Sequence, residues 1–446
     1  MTHRVLFVAY TFPPIGGAGV QRTTKFVKYL PEHGWECSVL TVKGGSVPVW
    51  DESLSQDVPP QTRVIRARTW EPGYGLKAAA GGAKRSLAQA VKGSLARAGR
   101  AVLQPDAQVL WAPAACAEGL RLLREVPHDA IVATGPPFSC FLVGRWLAER
   151  SGLPLILDYR DEWSLSNVHY ENRRPGRVTR FVQQRMENWA LRGSRAVLAT
   201  TKASAGSVRD AARRAGGDPE AACIYNGYDA ADFERTPPPA TAARFRLVYT
   251  GTLWSLMSIV PVLDALETLQ RIDPSLVAPV DLIVAGRRTP EQTAALERAR
   301  SLACRIELHD YVDHAGAVSL MRSADALCLL LEDTTGADRW VPAKTFEYLA
   351  SSRPILAIVP PGELRTIVES AGGATLAPAG DSDAVAAALR SMLTAHRNGS
   401  WPSNVDRDVS RFERRSQAGQ LGHLLARLRA GAAPAAGAVN AEVLAG

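Results

Sequence analysis

Lys344 and Glu347 are the first residues whose types and spacing suggest chemistry. They lie in W-V-P-A-K-T-F-E-Y-L-A-S-S-R-P, residues 340–354, between apolar runs at 326–331 and 355–359. Both runs read as buried strands. Pro342 suits the first turn of a helix, where its missing N–H leaves no hydrogen bond unmade. Phe346 shares a helix face with Leu349 and Ala350, while Lys344 and Glu347 share a different one. The unit is thus strand, acidic loop, short helix, strand. A diphosphate held by amide dipoles and a lysine, with a sugar hydroxyl on a carboxylate one turn in, fits this arrangement. A surface helix with a solvated Lys and Glu fits it equally, and the stretch alone leaves both open.

The elements around this unit narrow the choice. Residues 5–10 form an apolar run, followed by T-F-P-P-I-G-G-A-G at 11–19 and by Val20, Thr23, Val27 and Leu30 at helical spacing. Gly16, Gly17 and Gly19 would let backbone amides approach a ligand at a helix start. They could also serve only the turn. G-x-G-x-x-G is not met, because Arg22 stands where the third glycine belongs. A dinucleotide-dependent dehydrogenase is therefore disfavoured.

Further strands are expected at 38–42, 64–66, 130–133, 155–158, 196–200 and 223–225. Strands alternating with helices imply a parallel, doubly wound sheet whose ligands sit beyond the C-terminal strand ends. One such end carries Asp158, Arg160 and Asp161 in D-Y-R-D. This is either an acceptor-side group or a structural ion-pair cluster, and its place beside a cleft favours the first.

The proline-rich segment 236–241 reads as a linker, after which the alternation restarts. Strand 245–250 runs into Gly251-Thr252, and strand 281–285 into Gly286-Arg287-Arg288. Strand 306–308 follows, then the opening unit, then a helix capped by Asp381 or Ser382. The fold class is α/β, with two tandem Rossmann-like doubly wound domains facing a cleft that suits a ligand of two halves. The domains are expected at 1–235 and 236–410. A C-terminal helix over 411–429 could pack back on the first domain, and an Ala- and Gly-rich tail over 430–446 reads as disordered.

Composition supports a globular protein: 46% of the 446 residues are hydrophobic and 22% charged. No run of about 18 apolar residues suggests a membrane span, and the N-terminus enters a strand at once, unlike a signal peptide. The six cysteines include no C-x-x-C, so neither a disulfide framework nor a metal site is expected, and a cytoplasmic location is. The net charge of +8 favours an anionic partner. Basic residues without interleaved aromatics argue against nucleic acid. Between 71 and 103, Lys77, Lys84, Arg85, Lys92, Arg97 and Arg100 occur with no acid after Glu71. Such an insertion either lies on an anionic membrane, here the inner face of the plasma membrane, or is simply solvated.

Y-T-F-P-P-I-G-G-A-G-V-Q-R (10–22), L-D-Y-R-D-E-W (157–163), Y-N-G-Y-D (225–229), Y-T-G-T-L-W (249–254), H-D-Y-V-D-H (309–314) and V-P-A-K-T-F-E-Y-L-A-S-S-R-P (341–354) occur in this order. Together they resemble glycosyltransferase family 4, of the GT-B fold, over nearly the whole chain. The resemblance implies a retaining, metal-independent hexosyltransferase with a nucleotide-diphosphate sugar as co-substrate and no cofactor. Its donor would be bound mainly by the second domain. Its acceptor, a glycan or lipid-linked glycan of polysaccharide or glycoconjugate biosynthesis, would be held mainly by the first.

Glu347 maps onto the family's ribose-binding glutamate. Gly16, Gly17 and Gly19 map onto its glycine loop. With no metal, Lys344, Arg287 and Arg288 are the cations for the leaving diphosphate, helped by the amides of Ala343 and Lys344 and the Gly251-Thr252 turn. A second family glutamate, placed near the sugar, would fall on Arg339 and is absent; Asp333 or Asp338 could substitute. No catalytic histidine is assigned, and Asp161 is the acceptor-side candidate. The catalytic set is therefore Asp161, Lys344 and Arg287. The alternatives are a UDP-sugar 2-epimerase of the same fold and a non-catalytic nucleotide-sugar-binding protein.

Overall fold

The computed structural model describes residues 3–45, 50–71, 103–165, 176–236 and 244–430. Most of the basic stretch 71–103, the linker from residue 237 and the tail beyond 430 lie outside the described residues. The chain divides into two compact units, 1–225 with 414–446, and 226–413.

The first unit holds β1 (His3–Val8), β2 (Trp35–Lys43), β3 (Arg63–Arg68), β4 (Ala130–Gly135), β5 (Leu155–Tyr159), β6 (Ala196–Ala199) and β7 (Glu220–Cys223). They pair in the order β3-β2-β1-β4-β5-β6-β7, every pair parallel. Side chains alternate across each strand, so Leu6 and Val8 enter one core while Val5 and Phe7 enter the other. Both sheet faces are covered, which is why these strands read as continuous apolar runs.

The second unit repeats the plan with β8 (Phe245–Thr250), β9 (Val280–Ala285), β10 (Arg305–His309), β11 (Ala326–Leu330), β12 (Ile355–Ile358) and β13 (Ala374–Ala377). The order is β10-β9-β8-β11-β12-β13, again all parallel. In each unit the order reverses beside one strand, between β1 and β4 and between β8 and β11. Those switch points are where a doubly wound sheet opens a crevice at its C-terminal edge.

The units part at 225/226 rather than at 235/236. The reason is a short helix, Ala230–Glu234, whose Asp229 cap accepts from Ala231 N at 3.1 Å. Asp232 accepts from His314 Nε2 at 3.0 Å, and Arg322 donates to Phe233 O at 2.7 Å and to Thr236 O. These bonds bind residues 229–236 into the second unit. The helix Arg414–Arg429 belongs to the first unit. Ala418, Leu421, Leu424, Leu425 and Leu428 are buried in the core that holds Val5, Phe7, Phe26 and Val27. Arg429 adds an ion pair to Asp129 at 3.3 Å.

Two strands differ from the sequence reading. β13 is four residues, A-T-L-A, with too little apolar length to signal itself. β7 occupies E-A-A-C at 220–223, before the expected 223–225, because parallel pairing with β6 selects it over propensity. The helix Ser382–Arg397 is capped by Asp381, which accepts from Ala384 N at 2.9 Å.

Candidate functional site

In the second unit, β8 ends at the switch point in Thr250-Gly251-Thr252. Gly251 has φ +114° and Gly286, after β9, has φ +132°, a region that L side chains rarely adopt. A Cβ on Gly286 would stand 2.1 Å from Gly251 O, and one on Gly251 would stand 2.7 Å from Lys344 Nζ. The two strand ends are therefore packed at a spacing only glycine permits, with the lysine tip close against Gly251.

Lys344 opens the helix Lys344–Ala350, which follows the β11 loop. Its Nζ donates to Tyr249 Oη at 2.6 Å and lies 3.9 Å from that ring's centroid. Tyr249 Oη in turn donates to Thr252 O at 2.9 Å, which fixes the turn after Gly251. Burial lowers the Lys344 pKa from 10.5 to about 7, with Glu347 opposing the shift. The lysine is thus held on a neutral partner, ready to exchange it for an anion. Tyr348, fully buried four residues further along the same helix, accepts from Thr250 N at 2.8 Å and so ties the helix to β8.

Glu347 lies one turn from Lys344, with Oε1 3.8 Å from His314 Nδ1. Ala343 is the N-cap of the helix. Arg287 is exposed, and no ion pair engages it among the described residues. Arg288 behaves differently from expectation. Its guanidinium donates to Gly286 O at 2.8 Å and His309 O at 2.7 Å and pairs with Asp310. It braces the glycine turn through both Nη atoms. Arg339 ends a 3-10 turn, Ala337–Arg339, while Asp333 and Asp338 are exposed.

In the first unit, Gly17 caps the helix Ala18–Tyr29 with φ +107°, a conformation that needs glycine. Gly16 and Gly19 carry no positive φ. The Arg160 guanidinium donates to Gly19 O, and a Cβ on Gly19 would lie 3.4 Å from it. The glycine loop and the β5 end, read as separate features in the sequence, are thus brought together.

Asp158 is 1% exposed. It accepts from Arg22 Nη2 at 2.9 Å and Nε at 3.1 Å, and from Thr134 Oγ1 at 2.9 Å. Arg22 also donates to Ile224 O at 2.8 Å and Tyr225 O at 2.9 Å. Asp158 is therefore the centre of a buried brace joining the first helix, β4, β5 and the chain beyond β7. That is the structural ion-pair reading, and it takes Asp158 out of the acceptor-side group. Asp161 is only partly buried, and burial raises its carboxyl to about 6 against the pull of Arg160. Glu162 is spent on the hydroxyls of Ser204 at 2.8 Å and Ser207 at 2.9 Å.

Tyr249, Tyr348, His314 and Arg22 were not singled out by sequence reasoning. All lie within the quoted motifs, but nothing in their spacing distinguishes a buried tyrosine that packs from one that accepts a hydrogen bond from a lysine.

Comparison with known proteins covers both units. Residues 16–227 match the family model described as "Glycosyl transferase 4-like domain", and residues 244–395 match that described as "Glycosyl transferases group 1". A search of curated proteins by sequence finds no match. Among solved structures, the chain is similar to Anabaena HepE in complex with UDP and glucose, at 17% identity and a TM-score of 0.61, covering 95% of this chain and 99% of that one. It is similar to a putative UDP-N-acetylglucosamine 2-epimerase from Listeria monocytogenes, at 12% identity and 0.55, covering 97% and 98%. It is also similar to α,α-trehalose 6-phosphate synthase from Burkholderia multivorans, at 13% identity and 0.55, covering 97% of each. At such identities the likeness is one of fold.

Proposed function

We propose, from the premise that this chain belongs to the group 1 glycosyltransferases, that it moves a hexose from a nucleotide-diphosphate sugar to a glycan or lipid-linked acceptor with retention of anomeric configuration. The observation that carries the reading is Lys344 at the switch point of the second unit, seated on Tyr249 above two obligatory glycines, with Glu347 one turn on. The donor diphosphate takes the Lys344 ammonium in place of the tyrosine oxygen, and exposed Arg287 adds charge. Glu347 accepts from a ribose hydroxyl. As the sugar–phosphate bond lengthens, negative charge grows on the leaving phosphate, where Lys344 stabilises it. That phosphate oxygen takes the proton from the acceptor hydroxyl, which attacks from the same face. Asp161 orients the acceptor by accepting a hydrogen bond.

The acceptor is proposed to lie at an anionic membrane surface. Support comes from the helix Arg177–Arg192 of the first unit. There Val178 and Phe181 are 78% and 65% exposed among exposed Arg177, Arg180 and Arg185. A basic face with exposed apolar side chains suits an interface of anionic lipid.

The test is a thermal-shift panel of nucleoside diphosphates and their sugars, followed by incubation of the stabilising donor with and without acceptor extracts. A ligand at a hundred times its dissociation constant adds about 2.7 kcal/mol. Sugar transfer that depends on acceptor supports the reading. Donor converted to its 2-epimer without acceptor would replace it with the isomerase, and binding without turnover would leave a non-catalytic binder.

A further inference from the structure

Glu347 is not the last carboxylate in its chain of contacts. His314 stands between it and Asp232, with Nε2 3.0 Å from Asp232 Oδ2 and Nδ1 3.8 Å from Glu347 Oε1. All three side chains are largely enclosed, at 15%, 7% and 14% exposure for His314, Asp232 and Glu347. An ionised carboxylate only accepts, so the bond to Asp232 places a proton on Nε2 and fixes the ring plane. Nδ1 then faces Glu347, and it is the doubly protonated ring, set between two carboxylates, that can donate to it.

The backbone holds this aim from both sides. Asp313 caps the helix His314–Arg322 through Gly316 N at 2.7 Å, which sets where His314 leaves the loop after β10. At the far end of that helix Arg322 grips Phe233 O and Thr236 O, so the segment bearing Asp232 is anchored without help from the histidine. The bond from His314 to Asp232 is therefore one of several ties between the two helices. What it adds is the orientation of a ring whose other nitrogen faces the proposed ribose carboxylate.

We infer that His314, held by Asp232, is a positioning residue that sets the Glu347 carboxylate for the donor ribose. The inference rests on the reading of Glu347 given above. The 3.8 Å separation is longer than a hydrogen bond, as expected of a contact that tightens when the carboxylate takes a ligand. A side chain that orients a ligating group acts as the outer partners of metal ligands do: its loss weakens binding without touching the ligand.

The experiment is a double-mutant cycle on the full chain, with UDP and GDP titrated calorimetrically and the tighter binder carried through. Glu347→Ala is expected to weaken binding roughly thirtyfold and His314→Ala roughly tenfold, with the double variant no weaker than Glu347→Ala. With the matching nucleotide sugar, His314→Ala is expected to raise KM while leaving kcat within about twofold. His314→Gln, which keeps a donor for Asp232, is carried in parallel. It is expected to melt with the parent while still losing affinity, which separates aim from folding. If Glu347→Ala binds like the parent, or neither nucleotide binds the parent, the donor-site reading falls. If Glu347→Ala is weakened but His314→Ala is unchanged or its effect adds fully to that of Glu347→Ala, the donor site stands and the positioning role is overturned.

Discussion

Replacing Lys344 with methionine tests whether the lysine is the diphosphate ligand, and pH supplies the sharpest readout. Burial brings its pKa from 10.5 to about 7 in the free protein. A lysine is charged below its pKa, so the cation that would receive the phosphate is present below about pH 7 and fades above it. If only the charged form binds, the apparent dissociation constant scales as one plus the ratio of neutral to charged lysine. That factor is about 1.1 at pH 6 and about 11 at pH 8, so affinity drops about tenfold across the interval. The ligand's terminal phosphate itself ionises near pH 6, at about that value for phosphomonoesters, and acts in the opposite sense. Its contribution is common to parent and variant. Calorimetric titration of both proteins with the same nucleoside diphosphate across the interval isolates the lysine as the difference between profiles. Lys344→Met should bind more weakly at pH 6 and lack the decline. Stability moves in the other direction, because the folded pKa lies below the unfolded one. The folded chain is penalised for the buried charge below about pH 7, and the penalty is relieved as pH rises toward 10.5. Urea midpoints of the parent should therefore gain on those of Lys344→Met as pH increases. Identical pH profiles for binding in the two proteins would refute the argument.

Three other substitutions probe neighbouring steps of the reasoning. Arg22→Leu strands the buried Asp158 carboxylate and two carbonyls, and should cost about 3–5 kcal/mol in denaturant unfolding; a loss below about 1 kcal/mol would contradict the brace. Gly286→Ala drives a Cβ to 2.1 Å from Gly251 O; a soluble, folded variant should lose nucleotide binding, and unchanged affinity would show that the glycine turn is not part of the donor site. Asp161, raised to about 6, loses its charge as pH falls through that value, so turnover should decline below about pH 6 in the parent and be low and pH-independent in Asp161→Asn.

Much of the architecture was legible because parallel strands covered on both faces are apolar throughout. Runs such as Leu-Ile-Leu at 155–157 or Ala-Leu-Cys-Leu-Leu at 326–330 have no other economical reading. Strands without that signature escaped. E-A-A-C at 220–223 and A-T-L-A at 374–377 are strands because a neighbour offers them a ladder. The division at 225/226 escaped for a similar reason. Proline content marks a candidate linker, whereas the unit boundary follows from His314 and Arg322 reaching back to residues 232–236.

The sequence by itself determined the two-fold repetition of the α/β plan, the strand ends at which glycines gather, and the pairing of Lys344 with Glu347 on one face of a short helix. These follow from short-range periodicity, which the chain carries wherever it folds. Only the tertiary structure decided what each charged group does. Asp158 and Arg160 are neighbours in sequence, yet one is sealed in a brace with Arg22 and the other reaches Gly19. Arg287 and Arg288 are adjacent, yet one is exposed and the other is committed to the loop. A side chain's availability depends on partners tens or hundreds of residues away, and on the dielectric they create around it. That is how an ordinary lysine in a helix pattern comes to rest on Tyr249 with its proton loosely held.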